Sequence, residues 1–153
     1  MRPIHTLALF ATLACAAAAH ASDADQHAFL IRHAEAGDGD DPILSEAGAQ
    51  RADGWHAALG APELFVVYAT PTRRALQTAR AIAEDSGAEL RQYEHGRLDV
   101  LAVELRTVPG NVVVVGHSNT TPELAELLGV EPGEPIAHDE HDRVYRVDLD
   151  AIP

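Results

Sequence analysis

The chain has 153 residues, with 11 basic and 24 acidic side chains, a formal charge of −13 and a single cysteine, Cys15. That length suits one core, since single domains usually run roughly 100–200 residues, and 46 % hydrophobic against 23 % charged residues excludes wholesale disorder. So acidic a balance disfavours nucleic acid and anionic lipid as partners, and a lone cysteine excludes an internal disulfide framework and a cysteine-clustered zinc site.

Met1-Arg2-Pro3 supplies a short positive start, and Ile4 to Ala19 is almost uninterrupted apolar or small sequence. Ala19-His20-Ala21 then places small residues where a signal peptidase inspects the chain, so residues 1–21 read as a cleaved export signal and 22–153 as the folded domain. The apolar stretch is too short and too alanine-rich for a transmembrane span, which needs about 20 strongly apolar residues. Lipidation at Cys15 is the competing reading, against which Thr12 stands where such signals prefer leucine. Cleavage after Ala21 removes Arg2 and Cys15 and leaves a cysteine-free periplasmic or secreted domain with no membrane attachment. Oligomeric state has no signature in the sequence.

Along the remaining chain, short apolar runs alternate with helical patterns. Phe29-Leu30-Ile31 reads as a strand ending in Arg32-His33, followed by an acidic, glycine-rich loop from Ala36 to Pro42. Ser45 starts a helix that carries Ala52, Trp55 and Leu59 on one face. Leu64 to Ala69 is dense enough for a strand buried on both faces. Thr70-Pro71 opens a second helix, with Ala75, Leu76, Ala79 and Ala83 inward and a stop near Gly87. Glu89 to Tyr93 reads as a strand, Val100 to Leu105 as a short helix, and Val112 to Val115 as the central strand. Pro122 starts a helix that runs through Leu128 to Gly129, and Val144 to Leu149 alternates as a half-buried last strand. Such alternation implies parallel pairing with helices on both faces: a three-layer α/β/α sandwich around a mostly parallel sheet, in one domain.

In an open α/β sheet, ligands bind beyond the carboxyl ends of the strands. The strands deliver Arg32-His33, Arg74 and His117 there, a cationic cluster in an acidic chain. Arginine forks match phosphate oxygens two at a time. A histidine unprotonated on one nitrogen can attack phosphorus and carry the phosphoryl group, while the other cations hold the equatorial oxygens. That chemistry requires no metal and no cofactor.

Phe29-Leu30-Ile31-Arg32-His33-Ala34-Glu35 resembles the Arg-His-Gly signature of the histidine phosphatase superfamily, the phosphoglycerate mutase-like fold. Leu44-Ser45-Glu46-Ala47-Gly48 is similar to its Leu-Thr-x-x-Gly element, and Thr70 to Ala79 to its Ser-Pro-x-x-Arg-Ala-x-Gln-Thr-Ala segment. Val113 to Ser118 resembles the strand that ends in the second catalytic histidine, and Gly116-His117-Ser118-Asn119-Thr120 resembles the run found in a small exported branch. Ala34 and Thr70 stand where the family has glycine and serine. The resemblance implies that His33 is the phosphate-accepting nucleophile, with Arg32, Arg74 and His117 completing the phosphate pocket and Ser118 beside it as a substrate contact. Arg74 rather than Arg73 takes the pocket position, because Ala75 and Gln77-Thr78-Ala79 fix the register. For the general acid, which larger members carry as a glutamate after the third strand, Glu94 is the nearest positional candidate, with Asp99 behind it and Asp142 as a further choice.

His27, His56 and His95 read as surface or structural histidines. The run His138-Asp139-Glu140-His141-Asp142 reads as a polar loop bordering the site's mouth, in preference to a divalent-metal site. The reading is a secreted, metal-independent phosphatase acting on small phosphate esters through phospho-His33. The alternatives are a non-catalytic phosphate- or metal-binding module on the same fold, and a phosphatase of phosphohistidine proteins.

Overall fold

In the computed structural model, residues 26–151 are described; the segment expected to be an export signal, its expected cleavage point and Cys15 lie outside the described residues. The elements in chain order are β1 (His27–Arg32), α1 (Glu46–Ala58), β2 (Leu64–Ala69), α2 (Arg73–Ser86), β3 (Glu89–Gln92), α3 (Leu98–Leu105), β4 (Asn111–Gly116), α4 (Thr120–Leu127) and β5 (Val144–Asp148). The five strands form one sheet in the order β3-β2-β4-β1-β5, with β5 antiparallel and the others parallel.

Strand side chains point alternately to opposite faces, and the core divides accordingly. Ala28, Leu30, Val66, Tyr68, Val112 and Val114 pack with residues of α3 and α4, including Leu101, Leu105 and Leu124. Phe29, Ile31, Val67, Ala69, Val113 and Val115 pack with α1 and α2 through Trp55, Ala75, Ala79 and Ile82. The three layers expected from the sequence are therefore present. The four valines of β4 are buried on both faces because β4 is central, and each contributes roughly 1.5–3 kcal/mol on burial. At the edge, β5 alternates exposed and buried residues, as a strand covered on one face does.

Local differences from the sequence reading have local causes. The pairing of β2 with β4 shifts register between Leu64 and Val66, which turns Phe65 outward, so β2 is not buried along its whole length. The second helix begins at Arg73 rather than at Thr70-Pro71, because Asp41 accepts the Arg73 N–H from across the neighbouring loop. The fourth helix begins at Thr120, so Pro122 sits inside its first turn, where a missing N–H costs nothing. The third begins at Leu98, two residues earlier than periodicity suggests.

Candidate active site

The parallel strands β1, β2 and β4 end side by side, and Arg32 at the end of β1 together with residues just beyond the strand ends, His33, Arg74 and His117, lines a cleft of about 770 Å³. His33 follows β1 and donates its backbone N–H to the Gly116 carbonyl at 2.9 Å, extending the ladder by one step. Its side chain is held at both nitrogens. Nδ1 lies 2.8 Å from the Ala34 carbonyl oxygen, which can only accept, so Nδ1 carries the proton. Nε2 thus presents a lone pair, and it accepts the Arg74 Nε–H at 3.1 Å. Burial, reinforced by the repulsion that a second protonated ring at His117 would exert and by the charges of Arg74 and Arg32, pushes the His33 imidazole down to about 3.

His117 leaves β4 beside it, with the rings 5.3 Å apart and nearly edge-on. Its Nε2 is 2.8 Å from the hydroxyl of the fully buried Thr70. Burial first, then Arg74, His95 and Arg32, lower this imidazole to about 4. Two neutral histidines thus share the floor with two guanidinium groups.

Arg32 is divided between two tasks. Its Nη1 donates to the carbonyl oxygens of Ala137, His138 and Glu140 at 2.8–2.9 Å and so fixes the loop before β5. Its Nε–H is buried with no acceptor among the described residues. An orphaned buried donor costs about 1–3 kcal/mol, which an oxyanion in the cleft would relieve. Arg74 spans the floor, with its Nε–H on His33 and its Nη1 3.7 Å from Asp41.

The family-like segments have physical roles around this floor. Thr78, fully buried, accepts the Ala34 N–H and donates to the Arg74 carbonyl, tying α2 to the peptide that orients His33. Gln77 accepts the Leu44 N–H and holds the entry to α1. Ser45 caps α1 by accepting the Gly48 N–H, and its own N–H donates to the Glu35 carbonyl. Gly48 is needed because a Cβ there would stand 1.9 Å from the Glu35 carbonyl oxygen. At Gly116 a Cβ would meet the Thr120 and Thr121 hydroxyls at 2.9 and 2.8 Å.

Arg32, His33, Arg74, His117 and Ser118 all line the cleft. Glu94, Asp99 and Asp142 do not: each is exposed and none belongs to the cleft wall, so the positional candidates for the acid are not brought to the floor. Of the wall carboxylates, Glu35 is tied in a bidentate pair to Arg51 at 2.7–3.0 Å and held at about 2, chiefly by that hydrogen bonding. Asp38, Asp40 and Asp139 stand around the mouth. Further histidines line the cleft. His95, read as a surface residue, lines the cleft, and so does His141, whose Nδ1–H donates to the His33 carbonyl at 2.9 Å with its ring 5.9 Å from that of His33. The available signal for His141 was its place in the ligand-rich run before the last strand; His95 had only its proximity to Glu94. Among the described residues no three His, Cys, Asp or Glu side chains are gathered as a metal ion would require.

The sheet order, the layering and a carboxyl edge that gathers two arginines and two histidines give this α/β protein the phosphoglycerate mutase-like fold. The model of the histidine phosphatase superfamily (branch 1) matches residues 28–104, half of the chain, and the chain belongs to that superfamily. Among solved structures it is similar to a protein from Nakamurella multipartitia provisionally assigned as a phosphohistidine phosphatase SixA, at 26 % identity and a TM-score of 0.56, covering 71 % of this chain and 73 % of that one. It also resembles the protein histidine phosphatase SixA complexed with tungstate, at 19 % identity, a TM-score of 0.59 and coverage of 84 % and 100 %. A mycobacterial glucosyl-3-phosphoglycerate phosphatase is similar at 18 % identity, with a TM-score of 0.58 and coverage of 70 % and 81 %. No curated protein sequence matches the chain. Membership of the superfamily supports a phosphatase, and the more distant neighbours share its fold.

Proposed function

We propose that the chain hydrolyses small phosphate monoesters through a phosphohistidine on His33, without a divalent metal. The observation that carries this reading is the state of His33: its Nδ1–H is anchored on the Ala34 carbonyl, and its Nε2 lone pair is aligned by Arg74 in a site that keeps the ring neutral. In the first step the Arg74 Nε–H passes from Nε2 to a phosphoryl oxygen, and the freed Nε2 lone pair forms the N–P bond as the bond from phosphorus to the ester oxygen breaks. The leaving oxygen departs with that electron pair and takes up a proton. In the second step water attacks phosphorus, the N–P bond breaks, and its electrons return to Nε2 while the water gives up a proton. Arg32, Arg74 and His117 bind the phosphoryl oxygens throughout, and the backbone at Ser118 to Thr120, at the start of α4, faces the same anion.

Rapid-quench labelling with a phosphorus-labelled aryl phosphate tests the proposal. The expected result is an acid-labile, base-stable phosphoenzyme that is absent in His33→Ala, with steady-state turnover unaffected by EDTA and inhibited by vanadate. A folded protein that binds vanadate but never forms a phosphoenzyme would instead be a binding module, and the proposal would fail.

A second reading, hydrolysis of phosphohistidine on a partner protein, is favoured by the SixA likenesses and by the outward position of Glu94, since a P–N bond leaves with less help from an acid. Comparing kcat/KM on a histidine-phosphorylated protein with that on aryl and alkyl esters separates the two substrate classes. Export is part of the same proposal and rests on the pattern of residues 1–21; N-terminal sequencing of the protein from a periplasmic fraction should begin at Ser22.

A further inference from the structure

The monoesterase reading leaves one chemical need unfilled, a proton for the leaving oxygen. His33 lies at the bottom of the cleft, 7 % exposed, so the ester oxygen, which departs on the far side of phosphorus from Nε2, points toward the mouth. The donor must therefore come from the mouth rather than the floor. His141 is fastened to the His33 backbone on the nucleophile's own side. His117 is held neutral and has no proton to spare beyond the one its ring nitrogen carries. Glu35 is ionised in its pair with Arg51.

The turn after β3 supplies the missing group. Tyr93 roots it, donating its N–H to the Ala69 carbonyl at the end of β2. The Arg97 N–H then bonds to the Glu94 carbonyl, closing a turn with His95 and Gly96 at its two central positions. This geometry directs Glu94 outward and sets His95 in the cleft wall, within electrostatic reach of His117.

We propose that His95 is the catalytic acid–base of this site: its imidazolium protonates the leaving oxygen as the bond to phosphorus breaks, and the neutral ring then takes the proton of the attacking water. The charged and titratable groups that share its surroundings are Arg32, Arg74 and His117 on the floor, Glu35, Asp38 and Asp40 on the loop after β1, His138, Asp139 and His141 on the loop before β5, and Glu94 and Arg97 in its own turn.

This inference rests on the monoesterase reading, and the test separates the two. Wild type and His95→Gln are compared on glycerol phosphate, whose alkoxide is a poor leaving group, and on nitrophenyl phosphate, whose phenolate needs little protonation. The expected loss in kcat/KM is on the order of 100-fold or more on the alkyl ester and only a few-fold on the aryl ester, because general acid catalysis contributes about 10²–10⁴. The alkaline limb of the wild-type profile on the alkyl ester should also vanish in the variant. Glu94→Gln should match wild type on both esters, and unchanged vanadate affinity and melting temperature in His95→Gln would show an intact pocket. Equal losses on the two esters, or an undiminished alkyl rate, would overturn the role of His95 while leaving the monoesterase reading in place. A wild type that hydrolyses neither ester would overturn that reading and this one together.

Discussion

A buried histidine surrounded by cations stays neutral, and the same arrangement makes the folded state sensitive to acid. His33 and His117 sit at about 3 and 4 in the folded protein, against about 6.5 for a free imidazole in the unfolded chain. Above pH 6.5 both states are neutral and the groups contribute nothing to pH dependence. As pH falls below 6.5 the unfolded chain takes up protons that the folded one refuses, so stability drops until the folded pKa values are reached, by up to about 1.4 kcal/mol per unit and group. Replacing His33 with Gln removes one such group. The fall in melting temperature between pH 7.5 and pH 5 should therefore be smaller in His33→Gln than in wild type, as read by calorimetry; an equal fall would mean that the buried ring is not neutral. Activity obeys the same sign, and the acid limb of kcat/KM should lie well below the ordinary imidazole range. Thr78 acts one shell out, joining the Ala34 peptide to Arg74 through two hydrogen bonds. Thr78→Val should lower kcat about tenfold with little change in KM, at a stability cost of about 1–3 kcal/mol for the orphaned partners, while Thr78→Ser should restore kcat.

At the level of elements, the same helix offers a matched pair of glycines with opposite requirements. In α1 a side chain at Gly48 would collide with the backbone of Glu35, whereas one at Gly54 meets nothing within 4 Å. Gly48→Ala should lower stability by about 1–3 kcal/mol or more, since backbone cannot move aside, and should weaken activity by shifting the Glu35 peptide next to Ala34. Gly54→Ala should raise stability by up to about 1 kcal/mol, because alanine loses less entropy in a helix. Thermal unfolding of the two variants measures the contrast directly. This contrast also shows what the sequence made readable. Gly48 belonged to a motif, so its importance was visible, but its cause, a helix start pressed on the Glu35 carbonyl, is a tertiary contact. The strands were legible because parallel central strands such as Val112 to Val115 are apolar on both faces. Phe65 looked like the rest of its strand because a register shift leaves no compositional trace. Arg32, His33, Arg74 and His117 could be gathered from strand ends alone, whereas His95 and His141 lie on a turn and a loop whose direction depends on Tyr93 and Arg32 anchoring them elsewhere.

For the molecule as a whole, a formal charge of −13 surrounds a cleft whose floor carries two guanidinium groups. These two fields act over different distances. The floor cations act within a few ångströms of a bound phosphoryl group and are poorly screened there, while the acidic exterior acts on approaching ligands over a Debye length of about 10 Å at 0.1 M salt. Asp38, Asp40 and Asp139 bring part of that exterior field to the mouth itself. A small dianion passes this region once, but a polyanion keeps many charges in it after its terminal phosphate has docked. Raising ionic strength from about 10 mM to 150 mM shortens the screening length from about 30 Å to 8 Å. The ratio of kcat/KM for a short polyphosphate to that for glycerol phosphate should therefore rise with salt. Asp38→Asn combined with Asp139→Asn should raise the ratio at low salt and flatten its salt dependence, since it removes part of the repulsion that salt would otherwise screen. A ratio that falls with salt would mean that the cleft's positive field extends beyond the mouth, and that the enzyme attracts polyanions despite its charge.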